Sequence, residues 1–285
     1  MSKYGWVRRA QRSVLDTVGK ANAVVAEWTA KQPPCVVGIP MMNFHEHTAH
    51  VVEDLDFDEL DELIIFDHGS DDPASIAWLA KIERRPKVTV DRRAAIPTES
   101  LYRSWNDTIR HALARFNDRK RVDVVLLNND VRLPAGFIGF LTRAVRSGDP
   151  RLMIAYPDMN AILDDGLPQN TDLEPTRGLA DDGGLTGWAF ALKAEAFRRE
   201  IPYIDERLRF YSGDRDLIFN LETRGYYAAR VRGLPCLHGL GVTRKKRPEL
   251  KDQMRRDVKL CWAKWKGPMG EVALSLRERA FVDDR

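Results

Sequence analysis

The run Val124-Val125-Leu126-Leu127-Asn128-Asn129-Asp130-Val131 constrains this chain more than any other stretch. Four unbroken apolar residues describe a strand covered on both faces, the condition of a central parallel strand with helices on either side of its sheet. The run then turns polar. Ligands of open α/β sheets collect beyond the carboxyl ends of the strands, which makes Asp130 a candidate for a metal or phosphate contact. An Asx turn leaving the strand is the competing local reading.

The flanking sequence repeats the pattern. Cys35 to Pro40 and Leu63 to Asp67 are further buried strands, followed by shorter ones at 87–90, 152–156, 187–192, 226–231 and 235–238. Helical periodicity predicts helices over 73–83, 99–116, 134–145, 214–224 and about 252–265, with Leu101, Trp105, Ile109, Leu113 and Phe116 forming the inner stripe of the second. Strand and helix in alternation give an α/β fold with a mostly parallel central sheet flanked by helices, Rossmann-like in texture. Between Asp158 and Gly184 the periodicity disappears, which predicts a functional lid or binding loop. Ahead of the sheet, Trp6, Ala10, Val14, Val18, Ala21, Val25 and Trp28 predict an amphipathic helix that ends at Pro33-Pro34 and suits its own domain or a second subunit.

Charge and cysteine usage narrow the class. A net charge of +3 over 285 residues does not announce a nucleic-acid binder. The positive charge is concentrated late, in Arg244-Lys245-Lys246-Arg247 and then Arg255, Arg256, Lys259, Lys264 and Lys266. Such a segment faces an anionic partner or is a solvated helix face. Cys35, Cys236 and Cys261 form no CxxC pair, which disfavours a zinc ribbon or a disulfide framework. No apolar run has the length of a membrane span and the first residues lead into no apolar signal core, so the expected compartment is the cytoplasm. The His45-Glu46-His47 pair with His50 is a poor metal site, because residues two apart do not share a helix face.

Four motifs, in order over residues 35 to 240, resemble those of the family 2 glycosyltransferases, whose nucleotide-sugar-binding fold is called GT-A. Val37-Gly38-Ile39-Pro40-Met41-Met42-Asn43 is similar to the family's first strand and loop, and Asp67-His68-Gly69-Ser70-Asp71-Asp72 to its D-N-G-S-x-D turn. Asn128-Asn129-Asp130 stands at the D-x-D metal motif, in a Leu-Leu-Asn-Asn-Asp-Val form like that of rhamnosyltransferase-type members. Ser212-Gly213-Asp214-Arg215-Asp216 stands where the family has G-E-D-x-D. The resemblance implies three parts: an N-terminal amphipathic helix over 1–34, a GT-A domain over 35–243, and a basic helical extension over 244–285.

It also implies roles. Pro40, Asn43 and Asp67 line the nucleoside pocket, with Asn106 and Asn128 as further donor contacts. Asp130 and His238 hold Mn²⁺ or Mg²⁺, a Lewis acid that offsets charge on the departing nucleotide. Asp214 is the general base that takes the acceptor hydroxyl proton, and its place at a helix start favours the ionised form. Asp216 points elsewhere on that helix. Gly187 and Trp188 are the acceptor-side candidates, since an indole there can stack on a sugar, with strand packing as the alternative.

The implied activity is inverting, metal-dependent transfer of a hexose or deoxyhexose from a nucleoside diphosphate sugar, a UDP-sugar first among them, to a hydroxyl on modified DNA, protein or glycan. Three departures from the family pattern are His68 for Asn or Asp, Asn128 for the first aspartate, and Gly213 for the glutamate. The last two leave open a degenerate member that binds a sugar nucleotide without turnover. A sugar-nucleotide pyrophosphorylase is disfavoured, because only Gly38 stands where a glycine-rich phosphate loop is needed.

Overall fold

The computed structural model describes residues 32–147, 149–176, 185, 187–239 and 250–280, with side chains as far as 266. The helix expected ahead of the sheet and Arg244 to Arg247 lie outside the described residues. From β1 (Cys35–Met41) the chain runs through α1 (His45–Asp54), β2 (Glu62–Asp67), α2 (Pro73–Ile82) and β3 (Val88–Arg92) to α3 (Leu101–Arg115). It continues through β4 (Asp123–Leu127), β5 (Val131–Arg132), α4 (Phe137–Ser147), β6 (Leu152–Asp158) and β7 (Leu173–Thr176). The last elements are β8 (Ala189–Lys193), α5 (Gly213–Glu222), β9 (Tyr227–Pro235), β10 (Leu237–His238) and α6 (Leu250–Ala280).

Eight strands form one sheet in the order β3-β2-β1-β4-β8-β6-β9-β7, and β5 pairs with β10 in a small ribbon. Every residue of β4 is buried, as its sequence requires. Its alternate side chains serve two cores. Val124 and Leu126 meet Trp105, Ile109, Phe190 and Leu217 on one face, whereas Val125 and Leu127 meet Ile39, Leu63, Phe137 and Leu141 on the other. With helices on both faces, period-two alternation leaves no polar side to the strand, and the sequence reads as an unbroken apolar run.

Parallel pairing joins β1 to β2 and β4, β2 to β3, and β6 to β9. The other pairings, β4 with β8, β8 with β6 and β7 with β9, are antiparallel. The sheet is thus parallel in its first half and mixed in its second. One expectation changes here: the aperiodic stretch after Asp158 contains β7, which carries Pro175 on an edge of the sheet, where a missing N–H is tolerated.

Local chemistry fixes the helix starts. Asp72 accepts the N–H of Ser75 at 2.9 Å with Pro73 at the first helical position of α2. Ser100 accepts the N–H of Tyr102 at 3.1 Å at the start of α3. Among the described residues no helix is long and apolar enough to cross a membrane.

Candidate active site

The chain builds β1, β2 and β3 toward one edge, then α3 carries it back to β4 on the other side of β1. That reversal is a topological switch point, and the carboxyl ends of β1 and β4 splay there into a crevice. A cavity of about 420 Å³ occupies it. Pro40 from β1, Asn128 and Asp130 from the end of β4, Trp188 ahead of β8, Asp214 from α5 and His238 from β10 all line it. The antiparallel return of β8 is what brings Trp188 in, since its carbonyl accepts the N–H of Asn128 at 2.6 Å.

The β5/β10 ribbon sets the next contact. His238 is the register partner of Val131, and the N–H of Gly239 bonds the Asp130 carbonyl at 2.9 Å. His238 Nε2 consequently stands 3.1 Å from Asp130 Oδ1 and 3.3 Å from Asn128 Nδ2. Its ring stacks on Trp188 with centroids 4.1 Å apart and planes 11° apart, which fixes the direction of Nε2. A spacing near 3 Å is that of a direct ion pair and also that of adjacent ligands around one cation bound at about 2.1 Å, so Asp130 and His238 are close enough to share a divalent ion. Among the described residues no third His, Cys, Asp or Glu joins them. Turning the Asn128 amide would add a neutral oxygen, and oxygens from a phosphorylated ligand would complete the shell.

Across the cavity, Asp214 lies in the first turn of α5. Its Oδ1 accepts the N–H of Arg215 at 2.8 Å and its Oδ2 that of Gly187 at 3.3 Å. Burial pushes its carboxyl above the usual aspartate range, outweighing the charge of Arg215 and the backbone donors. The helix-start preference for the ionised form is therefore overridden by desolvation. A carboxylate so placed is a stronger proton acceptor than an exposed one.

Gly213 has a steric explanation. A Cβ at this position would overlap the ring of Tyr102, which lines the same cavity and donates its hydroxyl hydrogen to the Phe210 carbonyl at 3.2 Å. No side chain fits there. Gly187 is confined in the same manner, as its Cβ would fall 2.7 Å from Trp105 Cη2.

Three expected donor contacts sit differently. Asn106 is fully buried; its amide accepts the N–H of Ile204 at 3.0 Å and donates to the Ile204 carbonyl and Glu206 Oε1 at 2.9 and 3.0 Å. It holds the 204–206 segment and is not among the residues that line the cavity. Asn43 and Asp67 also stand outside the cavity wall. Asn43 Oδ1 accepts the N–H groups of Asp71 and Asp72 at 2.9 and 3.0 Å, and Asp67 Oδ1 accepts that of Ser70 at 2.9 Å. Both thereby shape the turn after β2.

His68, one residue on, is among the residues that line the cavity. It is buried and bonded through Nε2 to Ser104 Oγ at 2.7 Å. Burial, and then the charge of Arg93, lower its pKa to about 4, so the ring is neutral.

The sequence did not point to Asp257 or to the partners of Asp216. Asp216 is fully buried, taking Trp265 Nε1 at 2.7 Å, Lys264 Nζ at 2.6 Å and the N–H of Asp205 at 2.9 Å. Together with Asp257 it ties α6 to the 205–212 segment, which supplies Phe210, Tyr211 and Ser212 to the cavity wall. The only trace in the sequence is that acids interrupt an otherwise basic helix.

Neither a family model nor a curated protein sequence matches the chain. Solved structures do. The mannosyltransferase PcManGT from Pyrobaculum calidifontis, in complex with GDP-Man and Mn²⁺, is similar at 16% identity with a TM-score of 0.50, over 89% of this chain and 81% of that one. GalNAc-T7 with UDP, GalNAc and Mn²⁺ is similar at 15% identity with a TM-score of 0.53, over 73% of this chain and 44% of that one. TarS 1-349 of S. aureus aligns at 12% identity with a TM-score of 0.49, over 70% and 58%. The chain thus spans only about half the length of TarS 1-349 and GalNAc-T7. The likenesses to PcManGT and GalNAc-T7 show the fold: a GT-A architecture, with a large central sheet flanked by helices.

Proposed function

We propose that this chain is a glycosyltransferase of the family 2 type, moving a sugar from a nucleoside diphosphate sugar to a hydroxyl with inversion at the anomeric carbon. The observation that carries the reading is the meeting of Asp130 and His238 with Asp214 on one cavity at the switch point of a GT-A sheet. Its support from comparison is that PcManGT and GalNAc-T7 were solved with a nucleoside diphosphate or its sugar and Mn²⁺.

In this reading Pro40 and Asn128 contact the donor, and Asp67 has Oδ2 left for the base or ribose once Oδ1 has accepted Ser70. Asp130 and His238 hold Mn²⁺ or Mg²⁺, which when bound supplies positive charge to the departing diphosphate. Asp214 takes the acceptor proton as the hydroxyl oxygen bonds the anomeric carbon and the bond from that carbon to the diphosphate oxygen breaks. Trp188, held flat by His238, and Gly187, whose N–H orients Asp214, form the acceptor side.

The test is release of nucleoside diphosphate from a panel of UDP- and GDP-sugars, with Mn²⁺ or Mg²⁺, against glycan, protein and DNA acceptors. Turnover of one donor with retention of a sugar on the acceptor supports the proposal. Stabilisation of the fold by a donor that no acceptor discharges would instead leave a sugar-nucleotide binder without catalysis.

A further inference from the structure

A second cavity, of about 480 Å³, lies at the opposite end of the sheet, where β4 begins and β8 ends. Lys193 closes β8 as the register partner of Asp123 at the start of β4, so the two side chains leave the same face. Arg146, from the last turn of α4, binds Asp123 at 2.5 Å and also pairs with Glu195. The carboxylates that line the cavity are thereby occupied, Glu195 by Arg146 and Glu200 by the Tyr226 hydroxyl.

Two cations are not. Lys193 is 8% exposed, yet it makes no hydrogen bond or ion pair with a described residue. Arg121, exposed at the same cavity, makes none either. A lysine with a buried stem and no acceptor from the protein keeps its ammonium donors for a ligand in the cavity. Burial, followed by the charge of Arg146, pulls the pKa of Lys193 below its ordinary value against the opposing charges of Glu195, Asp123 and Asp149. A small anion rich in acceptors is the ligand that such donors suit.

We propose that this cavity binds a small phosphate-bearing anion, with Lys193 donating from its floor and Arg121 from its rim. An ammonium supplies compact charge to such an oxyanion, and a guanidinium supplies a planar pair of donors. Five residues of β4 separate this end of the sheet from Asn128, on the order of 17 Å, so the site does not overlap the cleft. It stands or falls independently of the transferase reading.

Calorimetric titration of the full chain with inorganic phosphate, at constant ionic strength and without divalent cations, tests it. One saturable site per chain is expected. Lys193→Met and Arg121→Ala should each weaken binding by about tenfold, while Lys193→Arg and Asp130→Ala leave it near wild type. Arg121 is exposed, so its variant keeps the test open if Lys193→Met does not fold. Glycerol 3-phosphate in parallel separates the sources: tighter binding than inorganic phosphate identifies a phosphomonoester, and weaker binding the free ion. Absence of a saturable heat, indifference to both substitutions, or loss in Asp130→Ala would overturn the proposal.

Discussion

Asp257 on α6 accepts the backbone N–H of Tyr211 at 2.9 Å, from a helix 46 residues further along the chain. The same carboxylate takes the N–H groups of Phe210 at 2.8 Å and Arg209 at 3.1 Å, and Gln253 Nε2 at 2.7 Å. Three consecutive amides converging on one buried acid fix the backbone that presents Phe210 and Tyr211 to the cleft. Asp257→Ala leaves those donors unsatisfied and is expected to lower stability by about 3 kcal/mol in a denaturant titration. Asp257→Asn, which keeps one acceptor oxygen, should lose less. In a folded Asp257 variant, the acceptor KM should rise more than that of the donor.

The fit of Asp130 and His238 to a shared cation predicts a dependence that each side chain governs. Donor affinity should rise with Mn²⁺ or Mg²⁺ in the wild type. His238→Ala should lose on the order of tenfold, about 1.4 kcal/mol, of that affinity. With the metal chelated, wild type and variant should bind the donor equally. A His238→Ala protein whose metal response matches wild type would remove the imidazole from the site.

How much of this was legible in the sequence depended on what each element owes to its own residues. The run before Asn128 announced a buried central strand because both of its faces are covered, and the turn residues after β1, β2 and β4 marked the crevice. The contacts that complete the site come from chain reversals that no local pattern encodes. Gly187 and Trp188 arrive because β8 runs antiparallel to β4, and His238 because β10 pairs with β5. Helix α1 leaves no periodic signal because only Thr48, Val51 and Val52 of its ten residues are buried, too few for a clear stripe. Asn106 precedes the cleft along the chain, but the turn of α3 aims it at Ile204, a contact no local pattern encodes.

Gly213 gives a prediction of opposite sense to the family pattern. Gly213→Glu would restore the acid of that pattern, but even a methyl group collides with Tyr102. Gly213→Ala is expected to destabilise by about 1–3 kcal/mol through overpacking, measured by thermal or chemical unfolding. Combining it with Tyr102→Ala should recover part of that loss beyond additivity, as neighbours sharing one volume must. Additive effects would show that the ring is not what excludes a side chain here.

Asp214 joins activity to stability through its raised pKa. As the proposed base it must be ionised, so kcat/KM should fall on acidification through a pKa above the ordinary aspartate value. The folded chain also holds this proton more tightly than the unfolded chain does, so stability falls as pH rises through that window. Asp214→Asn should therefore abolish transfer, keep donor binding and lose this residue's part of the pH dependence of stability. Wild-type turnover by this variant would remove Asp214 as the base.

His68 makes the contrary contribution. Its folded pKa of about 4 lies below the value of 6.5 for a free imidazole, so between those limits the unfolded chain binds the extra proton. Stability should then decline as pH falls from about 6.5 toward 4, by up to roughly 3 kcal/mol from this residue, and be indifferent to it above that window. His68→Gln keeps a side-chain nitrogen for Ser104 but cannot titrate. Its unfolding free energy, followed by urea denaturation across the same range, should show a shallower acid decline than wild type. Parallel curves for the two proteins would place the acid sensitivity in other groups.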